Sequence, residues 1–249
     1  MIPKIIHYCW LSNDPIPDSL KKYMESWKKY LPDYKIIHWN FDRFNKESSL
    51  WVKQAFENKK YAFAADYIRL YAIYHYGGIY LDMDVEVLQS FDKFLKLQTM
   101  ICWQKDVGGL EVAAFGAEKG SPWVKDCLDY YINHPFIKEN GTLDMRTLPS
   151  ITEGELKKKN YQLINVNSLQ EAINITSPYK IPVFPCEFFS PKSYKTFKIE
   201  TNSNSTCIHH FAGTWVEVPR YERIEKHFWE YLGLRNPNLI RKIVWLFKK

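Results

Sequence analysis

The sequence predicts an α/β fold in which helices flank a mixed or parallel sheet. Short runs of β-branched and aromatic residues alternate with longer segments that carry the apolar spacing of helices. This strand–helix–strand order is typical of strands that are joined by crossover helices. At 249 residues, the chain is long enough for one large domain with a substantial core.

The alternation begins at the N-terminus. The apolar run Ile2–Trp10, which ends in aromatic residues, predicts the first strand. A helix is predicted over Leu20–Tyr30, because residues that cap helices precede it. Tyr34–Trp39 predicts a second strand, and Lys46–Lys59 predicts a polar helix with a few apolar residues turned inward.

The stretch Tyr61–Asp84 is the most informative part of the chain. Ala62–Tyr76 is rich in alanine, tyrosine, isoleucine and leucine and contains no glycine or proline, so it predicts a helix. Gly77 and Gly78 follow, and glycine pairs end helices because they adopt positive φ without strain. Ile79–Leu81 then predicts a short strand.

Two pairs of charged residues give this stretch its chemistry. Asp66 and Arg69 share one face of the helix. Asp82 and Asp84 follow the strand and point to the same side of an extended backbone. A cation relieves the repulsion between such carboxylates, and oxygen ligands suit Mg²⁺ or Mn²⁺, which keep positions open for phosphate oxygens. The alternative for an isolated Asp-x-Asp is a solvated acidic turn, but the apolar strand, the glycine pair and the charged helix face argue against it.

The remainder of the chain predicts shorter elements and no linker that would divide it. Strands are predicted at Val85–Leu88, Thr99–Gln104, Val112–Phe115, Tyr161–Val166 and Val183–Phe184, and helices at Ser121–Asn133, Glu153–Lys159, Tyr221–Leu232 and Leu239–Phe247.

The central motif resembles that of a known family. The runs A-x-x-A-D-x-x-R and G-G-I-Y-L-D-x-D are similar to the signature of the Asp-x-Asp sugar-transferring glycosyltransferases of the GT-A superfamily. These include α-1,6-mannosyltransferase initiators, capsular polysaccharide enzymes and, more distantly, the glucosylating toxins. The resemblance covers most of residues 1–215. It implies a GT-A catalytic domain, expected over residues 1–218, with a Rossmann-like nucleotide half and an acceptor half, followed by a C-terminal helical extension over residues 219–249.

The resemblance also implies roles in donor binding. In the family, a tryptophan at the end of the first strand lies against the nucleotide base, which makes Trp10 the candidate; from chemistry alone, a tryptophan that caps the core is equally acceptable. Arg69 would bond the sugar or brace the carboxylates, and Asp66 would take sugar hydroxyls. Tyr80 is a further donor-site candidate.

A histidine near the C-terminal end of the catalytic domain is expected to complete the metal shell or to meet the diphosphate. The segment CIHHFAGTW resembles a histidine-rich segment of the family. His210 is the first choice and His209 the alternate, because adjacent residues on a strand face opposite ways. The alternative is one core histidine and one surface histidine.

The implied reaction moves a hexose from a nucleotide-diphosphate sugar to an acceptor hydroxyl, with Mn²⁺ or Mg²⁺ held by Asp82 and Asp84. The expected donor is UDP-galactose or UDP-glucose, with GDP-mannose behind them. The expected acceptor is a lipid-linked glycan or an oligosaccharide in surface polysaccharide biosynthesis, and no nucleic-acid partner is expected.

The resemblance implies retention of anomeric configuration, either through a covalent intermediate or by front-face attack. A metal-dependent phosphohydrolase and a non-catalytic binding protein for sugar nucleotides or membrane surfaces are the alternatives.

Composition and charge bear on location. No apolar run approaches bilayer length, and the N-terminus lacks the features of a secretory signal, so a cytoplasmic location is expected. The five scattered cysteines favour reduced thiols.

The net charge is +6, and Arg235–Lys249 contains five basic residues and no acidic one. Within it, Leu239–Lys249 has the pattern of an amphipathic helix. This segment would either bind an anionic membrane surface peripherally or pack on the domain with its basic face outward.

Overall fold

The computed structural model describes residues 1–213. The expected domain boundary at residue 218 and the helical extension over residues 219–249 lie outside these residues. The strands are β1 (Ile5–Cys9), β2 (Lys35–Trp39), β3 (Gly78–Leu81), β4 (Val85–Val87), β5 (Thr99–Met100), β6 (Ala114–Ala117), β7 (Gln162–Asn165), β8 (Lys180–Val183) and β9 (Cys207–His209). The α-helices are α1 (Asp18–Tyr30), α2 (Leu50–Glu57), α3 (Tyr61–Tyr76), α4 (Pro122–Asp129), α5 (Leu148–Lys158) and α6 (Leu169–Ile173).

A five-stranded mixed sheet forms the centre of the described structure, with the order β2-β1-β3-β6-β5. Strands β2, β1 and β3 are parallel, whereas β6 is antiparallel to both of its neighbours. The carboxyl ends of β1, β2 and β3 therefore meet at one edge, where ligands bind in open α/β sheets. The predicted α/β class with a mixed sheet and flanking helices is confirmed.

Two buried hydrophobic clusters cover the faces of this sheet. Successive side chains of β3 alternate between them, with Ile79 and Leu81 in one cluster and Tyr80 in the other. The cluster that contains Tyr80 is built largely from α2, α3, α4 and α5. All four residues of β3 are buried, so the strand that leads to the aspartates runs through the core.

The glycine pair between α3 and β3 makes a turn that other residues would strain. Gly77 has φ 66° and Gly78 has φ 109°. A Cβ atom at Gly78 would lie 2.6 Å from the carbonyl oxygen of Ile5 on the neighbouring strand. The glycines therefore allow α3 to end and β3 to pair with β1 within two residues, as the sequence predicted.

Several element boundaries differ from the prediction because of local capping. The predicted helix Lys46–Lys59 is divided into a short 3₁₀ turn and α2, because the Ser49 side chain accepts a hydrogen bond from the Val52 amide and starts a new helix there. Helix α6 was not predicted. Ser168 caps it by accepting from the Glu171 amide, and the Glu171 carboxylate accepts from the Asn167 amide; the Ser-x-x-Glu spacing of this cap is visible in the sequence.

The cysteines and the helices agree with the composition. All five cysteines fall within residues 1–213 and are free thiols, as predicted. Among the helices of these residues, none is long and apolar enough to cross a membrane.

Candidate metal and donor site

The Asp-x-Asp motif forms a turn at the carboxyl edge of the sheet. The backbone N–H of Asp82 donates to the carbonyl of Ala113 at 2.7 Å, and the N–H of Val85 donates to the carbonyl of Asp82 at 3.0 Å. Met83 is buried, while the side chains of Asp82 and Asp84 keep 30% and 12% of their surface exposed. The turn therefore holds both carboxylates on a fixed backbone, with Asp82 the more exposed of the two.

Pairing between β4 and β9 brings a histidine to these carboxylates. Val85, the residue directly after the motif, lies opposite His209 in this antiparallel pair, so the pairing sets His209 beside the motif. His209 Nε2 lies 3.6 Å from Asp84 Oδ2. One ligand atom each from Asp82, Asp84 and His209 fall within 4.8 Å of one another. Two carboxylates and an imidazole form a donor set that fits Mn²⁺ or Mg²⁺ with room for further ligands.

The structure corrects the first choice of histidine. His210 Nε2 lies 2.8 Å from Glu86 Oε2, and its ring stacks on Tyr23 with 4.2 Å between centroids. Because adjacent residues on a strand face opposite sides, only one of the pair can face the carboxylates. That residue is His209, the alternate, whereas His210 contributes only its backbone N–H, which donates to the Asp84 carbonyl at 3.0 Å.

Arg69 pairs with one aspartate of the motif and with Asp66 on its own helix. Its guanidinium nitrogen Nη2 lies 3.2 Å from Asp66 Oδ1 and 3.2 Å from Asp82 Oδ1, and Nη1 donates to the Val112 carbonyl at 2.8 Å. The side chain is 6% exposed. Of the two roles expected for Arg69, bracing the carboxylates is the one that these contacts describe.

Tyr80 completes this support from the strand. Its ring lies 4.5 Å from the Arg69 guanidinium carbon, and its hydroxyl donates to Asp82 Oδ1 at 2.9 Å. Tyr80 is 1% exposed, so it acts on the site through Asp82 rather than as a surface that a donor would contact. The role expected for Tyr80 in direct donor binding is therefore replaced by one in holding the carboxylate.

Burial and neighbouring charges shift the pKa values of the two aspartates and of His209 in different directions. Burial raises the pKa of Asp82, and the charge of Asp84 adds to this effect although Arg69 opposes it. Burial also raises the pKa of Asp84, but His209 and the Ala212 amide outweigh burial and lower it to about 2. Burial lowers the pKa of His209, but Glu111 and Asp84 raise it well above its usual value. A divalent cation held here would favour the ionised form of Asp82, as Arg69 does.

Trp10 and Asp66 lie at the same edge of the sheet. Trp10 follows β1, which is in register with β3 through His7 and Tyr80, and its indole Nε1 donates to the Asp14 carbonyl at 2.8 Å. The side chain is half-buried. Burial raises the pKa of Asp66 to about 7 in spite of Arg69. The roles of Trp10 in base stacking and of Asp66 in sugar binding stay predictions.

One residue of the site was missed. Glu111 is 3% exposed, and its carboxylate Oε2 lies 3.1 Å from His209 Nδ1. It precedes β6 as the only acidic residue in the apolar run GGLEVAAFGA. A charged residue in such a run is rarely buried without a partner, and this was the signal available in the sequence.

The comparisons with known proteins match the part of the chain that carries the Asp-x-Asp motif. Residues 17–101 match a family model described as the glycosyltransferase sugar-binding region containing a DXD motif. The chain is 36% identical over 119 residues to a mannosyl phosphorylinositol ceramide synthase from Saccharomyces cerevisiae, an alignment that covers 44% of this chain and 31% of that protein. It is 28% identical over 204 residues to an uncharacterized glycosyltransferase of Acanthamoeba polyphaga mimivirus, covering 78% of this chain and 77% of that protein. Among solved structures it is similar to the PaToxG glycosyltransferase, with a TM-score of 0.46 and 17% identity over 64% of this chain and 70% of that one.

The family match confirms the predicted resemblance to the Asp-x-Asp glycosyltransferases. The matched segment contains Asp66, Arg69, Asp82 and Asp84, the residues on which the prediction was based. The alignments span about a third of the first three curated relatives, at 31%, 28% and 35% of their lengths.

Proposed function

We propose that this chain, which carries a glycosyltransferase sugar-binding region over residues 17–101, transfers a hexose from a nucleotide-diphosphate sugar to an acceptor hydroxyl. The observation that carries the proposal is the convergence of Asp82, Asp84 and His209 at the carboxyl edge of the sheet, within that glycosyltransferase context. A divalent cation there would be placed to meet a diphosphate.

Each residue of the site has a defined part in this proposal. Asp82, Asp84 and His209 would hold Mn²⁺ or Mg²⁺, which when bound would neutralise the charge that develops on the diphosphate leaving group. Arg69 holds the Asp82 carboxylate in place. Trp10 stacks on the base of the nucleotide.

The sugar would lie beside Asp66. This carboxylate is 12% exposed, and the guanidinium of Arg69 fixes its orientation, so we place it to accept from sugar hydroxyls. Retention of configuration is part of this proposal, and Glu111 cannot be its enzyme nucleophile, because this buried carboxylate is committed to three hydrogen-bond partners.

Mannose is the hexose that the curated relatives support. Several are named mannosyltransferases, including one from Schizosaccharomyces pombe that is 30% identical over 127 residues. On this support we propose GDP-mannose ahead of UDP-galactose and UDP-glucose, the donors favoured on the resemblance alone. The same names include inositol phosphoceramide, which supports an acceptor hydroxyl on a lipid-linked head group.

A lipid acceptor would place the enzyme at a membrane surface. The basic segment over residues 239–249, which the sequence predicts to be an amphipathic helix, lies outside the described residues. Peripheral binding to the cytoplasmic leaflet is therefore proposed from its composition alone.

A donor panel with purified protein tests the proposal. We expect Mn²⁺-dependent release of nucleoside diphosphate from GDP-mannose, in preference to UDP-galactose and UDP-glucose, and greater release with an inositol phosphoceramide acceptor than without one. Hydrolysis of unrelated phosphate esters would instead indicate a phosphohydrolase. Binding of donor with no turnover of any donor–acceptor pair would indicate a binding protein.

Replacing Trp10 with alanine should raise the donor KM. Stacking of a base on an aromatic side chain is worth about 1–3 kcal/mol, which corresponds to a roughly 5- to 150-fold change. Initial-rate kinetics over a range of donor concentrations measure this effect. Trp10→Phe, which keeps an aromatic face but loses the hydrogen bond to Asp14, is the control and should stay near the wild-type KM. Equal KM values for wild type and Trp10→Ala would assign Trp10 to the core.

A further inference from the structure

We propose that Glu111 is a positioning residue that orients His209 for metal binding, an inference that rests on the metal site of the proposed function. Glu111 and His209 are far apart in the sequence, and their contact is made only in the folded chain. Glu111 Oε2 lies 3.1 Å from His209 Nδ1, and His209 Nε2, on the other side of the ring, faces Asp84.

The hydrogen bonds around Glu111 fix the direction of this contact. Its Oε1 accepts from the Ala113 amide at 2.9 Å, and its Oε2 also accepts from the Ser190 hydroxyl at 2.7 Å. A carboxylate that accepts from every neighbour requires a hydrogen on His209 Nδ1. The lone pair of the neutral ring is then on Nε2, which is the atom directed at the metal ligands.

The run Glu111–Ala113 supports the rest of the site as well. The carbonyl of Val112 accepts from Arg69 at 2.8 Å, and the carbonyl of Ala113 accepts from the Asp82 amide at 2.7 Å. Consecutive residues thus hold the histidine, the arginine and the first aspartate. Because Glu111 is the member of this run that acts through its side chain, it can be changed without removing the carbonyls of Val112 and Ala113.

Burial separates this role from a catalytic one. At 3% exposure, with both oxygens hydrogen-bonded, Glu111 cannot contact a substrate. It can affect the reaction only through the orientation of His209. Loss of the carboxylate should therefore weaken metal binding before any donor is present.

Direct titration of Mn²⁺ into the metal-free protein tests the proposal. Calorimetry or electron paramagnetic resonance should show that Glu111→Gln lowers Mn²⁺ affinity by about 10- to 100-fold, the usual effect of losing a partner that orients a ligand. Glutamine keeps the size of the side chain but removes its charge. Glu111→Asp keeps the charge but is too short to reach Nδ1, and it should also weaken binding; it decides the question if Glu111→Gln fails to fold.

Asp144→Asn is a matched control for effects on stability. Asp144 is another buried carboxylate that bonds a histidine, with Oδ2 3.0 Å from His134 Nε2, and it contacts none of the proposed metal ligands. We expect this variant to lose thermal stability and to keep wild-type Mn²⁺ affinity. Wild-type affinity in folded Glu111→Gln or Glu111→Asp would overturn the role of Glu111 alone. Failure of the wild-type protein to bind Mn²⁺ would overturn both this role and the metal dependence in the proposed function, whereas transfer without metal would leave the glycosyltransferase activity standing.

Discussion

Asp84→Asn should reduce kcat/KM for transfer by roughly 1,000-fold or more and leave the fold intact. The change removes a charge without changing side-chain volume, so the packing of the turn that contains the buried Met83 is preserved. Metal ions contribute several kcal/mol to the stabilisation of transition-state charge, and about 4 kcal/mol corresponds to this loss of rate. Asp82→Asn should have a similar effect on activity, because both carboxylates approach the same point within the cluster with His209.

Steady-state kinetics in Mn²⁺ measure the loss, and thermal melts report on the fold. Treatment of the wild-type enzyme with EDTA should abolish transfer, and addition of Mn²⁺ should restore it. His210→Ala is the control: it is adjacent to the site, but its side chain contacts Glu86 and Tyr23 instead. We expect it to retain activity within severalfold of wild type. If Asp84→Asn transfers sugar at the wild-type rate, or the wild-type enzyme works at full rate in EDTA, the metal hypothesis is wrong.

The parts of the site that were predicted from the sequence are those set by local geometry. Asp66 and Arg69 share a helix face because of helical periodicity, and Asp82 and Asp84 point the same way because of the geometry of the chain between them. From the glycine pair, the sequence correctly predicted the end of α3 and the start of β3. No distant part of the chain is needed for any of these inferences.

The errors concern contacts between distant segments. The choice between His209 and His210 depends on which face of β9 is turned toward the motif, and this is set by the pairing of β9 with β4. The sequence of a short strand in which successive side chains face opposite sides does not indicate which side faces the motif. Glu111 was not predicted for the same reason, since its partner His209 is 98 positions away in the sequence.

Arg69→Met should lower the free energy of unfolding by about 3–5 kcal/mol, because removal of one partner from a buried ion pair leaves an uncompensated charge. Methionine keeps much of the length of the arginine side chain, but it cannot pair with Asp66 or Asp82, both of which lie 3.2 Å from the guanidinium. It also leaves the Val112 carbonyl without this donor. Chemical denaturation monitored by tryptophan fluorescence measures the change.

Lys53→Met is the comparison for a charge pair at the surface. Lys53 and Glu47 are paired at 2.8 Å, but their side chains are 41% and 54% exposed. Water screens exposed pairs and they contribute little to stability, so this variant should unfold close to wild type. If Arg69→Met and Lys53→Met lose equal stability, the buried arginine is not bracing the carboxylates.

The pH dependence and a compensating variant identify the cause of the loss. Burial already raises the pKa of Asp66 to about 7, above its value in the unfolded chain, so the folded state holds this proton more tightly. For such a group, stability is greatest below the unfolded pKa and falls as pH rises through the folded pKa. Removing Arg69 makes ionisation of Asp66 still less favourable, so the stability deficit of Arg69→Met should be smaller at a pH of about 5 than at about 8. Adding Asp66→Asn and Asp82→Asn to Arg69→Met removes the buried charges themselves, and this triple variant should recover much of the lost stability while remaining inactive. A deficit that is constant with pH, and that the triple variant fails to reduce, would show that the arginine is needed for packing rather than for charge.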